Sequence, residues 1–189
     1  PIASDSMGIR SMATFIETND CKIFIDPSAA LAQERFSLPP HDKENKKYEK
    51  TKKKISQVAN RSDIITISHY HYDHFDPDET FYEGKRIFLK DYTKKINKSQ
   101  KKRGKEFFEK IKDICNIEIC DDTEHQLGKT TLKFSPPFFH GPEKIRLGYV
   151  VMITIDDGKK RVLHTSDVQG PVSENAMEYI IEQRPDLLI

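Results

Sequence analysis

Residues 68 to 77 read SHYHYDHFDP, which puts three histidines and two aspartates in one short segment. Imidazole and carboxylate groups are ligands that divalent Zn, Mn and Fe accept. His69 and His71 are two residues apart, so on extended chain their rings point to the same side and can meet at one point. Asp73 and His74 follow where the chain turns, and can face a second point nearby. The pattern H-x-H-x-D-H therefore predicts two adjacent metal sites. A histidine-rich surface loop is the bland alternative, but the segment follows an apolar run directly, which solvation alone does not require.

The elements around the cluster are those that would hold it at a strand end. "DIITIS" at 63–68 is short, apolar and β-branched, as expected of a strand buried on both faces. Asp76-Pro77-Asp78-Glu79 has a cap residue, a proline at the first helical position and a glutamate three residues after the cap, which predicts a short helix. Upstream, residues 12–27 read as a β-hairpin turning at Asn19-Asp20, and residues 39–60 as a charged helix with Tyr48, Ile55, Val58 and Ala59 on one face. Downstream, 86–90 reads as a strand and 93–113 as a basic, later amphipathic, helix. Strands follow at "IEIC", "TTLKFS", "LGYVVMITID" and "KRVLHTS", with a turn at Asp157-Gly158 and a helix over 173–183 before Pro185. The sum is an α/β domain with mixed sheets and helices outside.

At 189 residues the chain suits one domain, 1–189, and its 31 basic against 30 acidic residues leave a net charge of only +1. No apolar run approaches the roughly 20 residues of a membrane-spanning helix, so no membrane partner is expected. Cys21, Cys115 and Cys120 are odd in number and lack CxxC spacing, which reads as buried thiols in a reducing cytoplasm. Nothing in the sequence marks any of them as a nucleophile. The start without Met, and Leu187-Leu188-Ile189 resembling a strand cut short, suggest a C-terminal part missing from the sequence.

The H-x-H-x-D-H motif after a sheet strand resembles the signature of the metallo-β-lactamase superfamily. "IDPS" at 25–28 looks like that family's early strand ending in Asp, and "SDSMGIRSMATFIET" like its first strands. The wording of "IASDSMGIRSMAT" and "SHYHYDH" is similar to an uncharacterised archaeal branch of predicted metal-dependent hydrolases. The resemblance implies an αββα sandwich. It also implies that His69, His71 and His140 hold a first metal, Asp73 and His74 a second, and Asp167 bridges the two. His140 in "FFHGPE" and Asp167 in "HTSDVQG" both end strands, with a packed histidine and a helix-capping aspartate as the plain alternatives. His164 is a rival ligand that more plausibly packs in its strand, and His41 and His125 read as surface residues. Asp26 either orients a ligand imidazole or simply precedes the turn at Pro27. The family's last histidine for the second metal comes from far downstream. None follows His164, so that ligand is expected beyond the end of this sequence.

The chemistry so implied is hydrolysis of an ester, lactone or phosphodiester by a metal-activated hydroxide, with Asp73 helping to orient the nucleophile. Zn2+ is the expected ion, two of them, with Mn2+ or Fe2+ as alternatives. A small-molecule substrate is favoured. Residues 43–54 and 94–105 are lysine-rich and keep a nuclease acting on RNA or DNA as an alternative. A non-hydrolytic metal-binding or diiron redox module is a further one. Oligomeric state is not legible.

Overall fold

Ile64–Ile67, strand β3, lies at the centre of a five-stranded sheet in the computed structural model, which describes residues 1–32, 34, 37–170 and 172–189. Its order is β1 (Thr14–Glu17), β2 (Lys22–Ile25), β3, β4 (Arg86–Leu89) and β5 (Asn116–Ile119). β1 and β2 form the expected antiparallel hairpin, and the remaining pairs run parallel. Alternation along the central strands divides their apolar residues between two faces. Phe24, Ile65, Ile67, Ile87 and Leu89 point to a core shared with helices α1 (Asp42–Asn60) and α2 (Lys98–Ile111). Ile23, Ile25, Ile64 and Phe88 point the other way and meet Leu132, Phe134, Ile153 and Ile155 of a second sheet.

That second sheet is also mixed. It begins with β6 (Glu124–Leu127) and β7 (Thr130–Phe134), after which the chain forms a separate two-stranded ribbon of β8 (Phe138–Phe139) and β9 (Tyr149–Val150). β10 (Ile153–Asp156), β11 (Arg161–His164) and β12 (Leu187–Leu188) complete it in the order β12-β11-β10-β7-β6. The β11–β12 pair is parallel and the others antiparallel. Helix α3 (Glu174–Gln183) covers its outer face through Ala176 and Ile180 against Met152 and Leu163. The layers are therefore helix, sheet, sheet, helix. The expected αββα sandwich is what the chain forms.

Three expectations need correction. No helix forms after Asp76: residues 76–85 are turns. The Asp76 carboxylate accepts from Asp78 N at 2.9 Å and pairs with Lys52, while its carbonyl accepts from Tyr82 Oη at 3.0 Å. Phe81 and Tyr82 are pulled into the core, so the segment follows its aromatics rather than its capping signals. "EHQL" forms β6, an element that its polar composition concealed, because one face of this edge strand meets solvent. His125 on β6 is half-buried between the rings of Phe88 and Phe134 rather than a plain surface residue. His41 is exposed as expected, and it caps α1: its Nδ1 accepts from Lys43 N at 3.1 Å, and Glu44 returns a bond to His41 N.

Helix α2 starts at Asn97, later than periodicity predicts, where the Asn97 side chain accepts from Gln100 N at 2.8 Å. It reaches the histidine segment closely because Gly104 has no side chain. A Cβ there would lie 2.6 Å from Tyr92 Cβ and 2.7 Å from Tyr70 Cε2. Gly104→Ala should therefore destabilise the fold by about 1–3 kcal/mol, since overpacking outweighs the roughly 1 kcal/mol gained in helix propensity. Thermal melting checks this: an unchanged or raised Tm would mean the helix can shift without strain.

Candidate metal centre

Strand ends of both sheets and of the β8–β9 ribbon converge on one place. His69 follows β3, Asp26 follows β2, His140 follows β8 and Asp167 follows β11. His69, His74 and His140 are each at most 2% exposed, Asp73 is 5% exposed, and His71 and Asp167 are partly open. So many polar groups are buried only when they are paired or hold a cation.

Hydrogen bonding fixes which nitrogens face inward. Ser68 Oγ has one proton, and the Asp26 carboxylate 2.6 Å away can only accept it. Ser68 Oγ must therefore accept from His69 Nδ1 at 3.0 Å, which leaves the lone pair of His69 on Nε2. That nitrogen lies 3.0 Å from His71 Nδ1, which in turn lies 3.2 Å from His140 Nε2. Three ring nitrogens thus converge.

Around His74 the pattern repeats. Its Nδ1 donates to Asp26 Oδ2 at 2.8 Å. Its Nε2 is buried with no hydrogen-bond partner among the described residues, and lies 3.7 Å from Asp73 Oδ2 and 3.8 Å from Asp167 Oδ2. Asp167 Oδ2 is also 3.1 Å from His140 Nε2, so this oxygen stands between the two histidines.

Two sets of donor atoms fall within reach of one centre: His69, His71 and His140, and His69, His74 and Asp167. The unpartnered buried Nε2 of His74 and the inward-facing lone pair of His69 are what a divalent cation would satisfy, so the residues fit one. The first set is the expected trio. The second includes His69 and lacks Asp73, whose Oδ2 accepts from Arg10 Nε at 2.9 Å.

Electrostatics follow from burial and pairing. Burial, reinforced by the neighbouring imidazoles, holds His69 well below the usual histidine pKa, and brings His71 down to about 4. Burial opposes charge on His74 as well, but Asp26 and Asp167 outweigh it and push this group up to about 10. Burial would raise the Asp167 carboxyl, yet contacts with His140 and His74 hold it well below the carboxylate range.

Of the surrounding residues, Asp26 takes the expected role of orienting an imidazole, whereas Ser68, Ser166 and Gln100 came unannounced by the sequence. Asp26 orients His74 and accepts from Ser68 N at 2.8 Å; Ser166 Oγ lies 2.6 Å from Ser68 Oγ. Asp26 and Ser166 are non-glycine residues at φ 48° and 55°, left-handed backbone of the kind that gathers at functional sites. Gln100, fully buried, accepts from Tyr70 N at 3.0 Å and donates to Leu147 O at 2.6 Å, and its amide also faces His71 Nε2 at 3.2 Å. A cation on His71 Nδ1 requires the tautomer with the proton on Nε2, so that contact must then loosen. His164 is not gathered into the cluster: its Nε2 bonds Met12 O at 3.1 Å and its Nδ1 accepts from Ser166 N at 3.2 Å.

This architecture with a histidine-rich cluster at the strand ends defines a metallo-β-lactamase fold with a potential metal site. No family model matches the chain. By sequence it is 44% identical over 202 residues to a UPF0282 protein of Methanocaldococcus jannaschii, covering 100% of this chain and 69% of that protein. It is 43% identical over 203 residues to one of Pyrococcus horikoshii, covering 66% of it. The chain belongs to the UPF0282 family, and spans about two thirds of the length of these relatives. Three solved structures are similar at low identity. A possible metal-dependent hydrolase from Veillonella parvula has a TM-score of 0.62 at 13% identity, with 95% of this chain and 68% of that one covered. An isothiocyanate hydrolase from Delia radicum gut bacteria has 0.59 at 14%, with the same coverages of 95% and 68%. Zn2+-bound PqqB from Methylobacterium extorquens has 0.52 at 12%, covering 90% and 57%. These likenesses establish the fold.

Proposed function

We propose that this chain is a single metallo-β-lactamase-like domain and a binuclear metal-dependent hydrolase. The observation that carries the reading is the convergence of His69 Nε2, His71 Nδ1 and His140 Nε2 beside an unpartnered His74 Nε2. His69, His71 and His140 would hold the first ion and His74 and Asp73 the second, with Asp167 reaching both. Bound there, Zn2+ would lower the pKa of water from 15.7 toward roughly 7 and polarise a carbonyl or phosphoryl oxygen. The chain's own residues supply the positioning. Asp26 and Ser68 fix the His74 and His69 rings, and Asp73 lines a cavity of about 280 Å3 with His74 and Asp167, where it can orient an attacking water. Ester, lactone and phosphodiester substrates all fit this chemistry. Two of the similar structures carry names of hydrolases, which supports the same class.

The test is metal analysis of the full chain with an esterase and phosphodiesterase panel. Zn2+ added at 100 times its Kd should raise stability by about 2.7 kcal/mol, read as a higher Tm, and chelation should abolish turnover. Turnover that survives complete removal of metal would overturn the mechanism.

A further inference from the structure

Arg10 stands where two cavities meet. It lines the 280 Å3 cavity beside Asp73, His74 and Asp167, and also a larger groove of about 1130 Å3; Asp5 is the other residue common to both. Its backbone is anchored, since its carbonyl accepts from Ala30 N at 2.9 Å in an antiparallel bridge. Its side chain is 49% exposed, and only Nε is engaged, on Asp73 Oδ2. Among the described residues, neither terminal nitrogen of Arg10 has a protein acceptor. A guanidinium presents its N–H groups as a planar fork matched to a carboxylate or phosphate, so the two free amino groups form an unfilled half of such a pair.

Charge balance points the same way. Asp73 and Asp167 together cannot neutralise Arg10 and two divalent ions beside it. Asp5, the third carboxylate lining that cavity, is exposed and answers the excess weakly. An anionic ligand would complete the balance. The larger groove adds shape, because Ile9, Leu31, Leu38 and Pro39 line one stretch of it with apolar surface. We propose that Arg10 is the anion-binding residue of this site, holding a carboxylate or phosphate group of a small substrate whose apolar body lies in that groove. The assignment rests on the hydrolase reading for its context, but its test does not depend on turnover.

The test is calorimetric titration of the Zn2+-loaded full chain with phenylacetate, phenyl phosphate and neutral phenylacetamide, using wild type, Arg10→Gln and Arg10→Lys. At least one anion should bind wild type about 10- to 100-fold tighter than Arg10→Gln, with partial recovery in Arg10→Lys and no discrimination of the amide. Metal content should match in all three proteins. The tighter anion identifies the group as carboxylate or phosphate. Equal affinities for wild type and Arg10→Gln, or no anion binding by wild type at millimolar concentration, would overturn the assignment. So would anion affinity lost only in step with lost Zn2+, because Arg10 would then act by supporting Asp73. Hydrolysis by the same proteins is scored separately. Arg10-dependent anion binding without turnover counts against the hydrolase reading alone, and turnover indifferent to Arg10 with equal anion binding counts against this assignment alone.

Discussion

His71→Ala should leave a folded protein that has lost its first metal and whose hydrolytic rate is lower by on the order of 10^3-fold. His71 Nδ1 faces both His69 Nε2 at 3.0 Å and His140 Nε2 at 3.2 Å, so its removal takes away the middle donor of three. A metal's contribution to such a reaction is several kcal/mol, and about 4 kcal/mol corresponds to that loss in rate. The ring is only partly buried, so the effect on folding should stay within about 1 kcal/mol. Elemental analysis and melting, run beside the rate assay, separate these outcomes. Full metal content in the variant, or an unchanged rate, would contradict the ligand assignment.

Asp26→Ala should have the larger effect on stability, about 3–5 kcal/mol, because it leaves buried donors without their common acceptor. Asp26 is 0% exposed and receives His74 Nδ1, Ser68 Oγ and Ser68 N. The expected fall in Tm is about 6–20 °C for a chain of this size. Metal affinity should fall about 10- to 100-fold as well, since among the described residues Asp26 is the one hydrogen-bond partner of the His74 ring. A Tm within 2 °C or so of wild type would show that the carboxylate is not the anchor it resembles.

The same pair sets the pH response of the metal-free protein. His74 is raised to about 10 from 6.5, so its contribution is complete below pH 6.5 and fades as pH climbs toward 10. Burial would raise Asp26, but the His74 charge outweighs it and lowers the group, so this part is present above pH 3.8 and is lost in acid.

What could be read from the sequence was local. H-x-H-x-D-H places four donor side chains in six residues, and the apolar β-branched run before it locates them at a strand end. His140 and Asp167 were reached only through resemblance to a family, because neither has a local pattern that separates it from a packed histidine or a cap. Arg10, Gln100 and Ser166 were not legible at all. The contact of Arg10 with Asp73 spans 63 positions, that of Ser166 with Ser68 spans 98, and no periodicity encodes such pairs. The absent helix after Asp76 has a similar origin: its capping signals were genuine, yet the burial of Phe81 and Tyr82, a tertiary preference, overrode them.

The chain of short contacts from Asp26 through Ser68 to Ser166 crosses from the first sheet to the second, and Val151 N donating to Ser68 O at 3.1 Å doubles the crossing. Sliding of one layer over the other would pull directly on the carboxylate that steers His74. Loosening of the sandwich and distortion of the donor set are thus a single mechanical event. The interior of the domain acts as a clamp whose rigidity is delivered where a cation would sit.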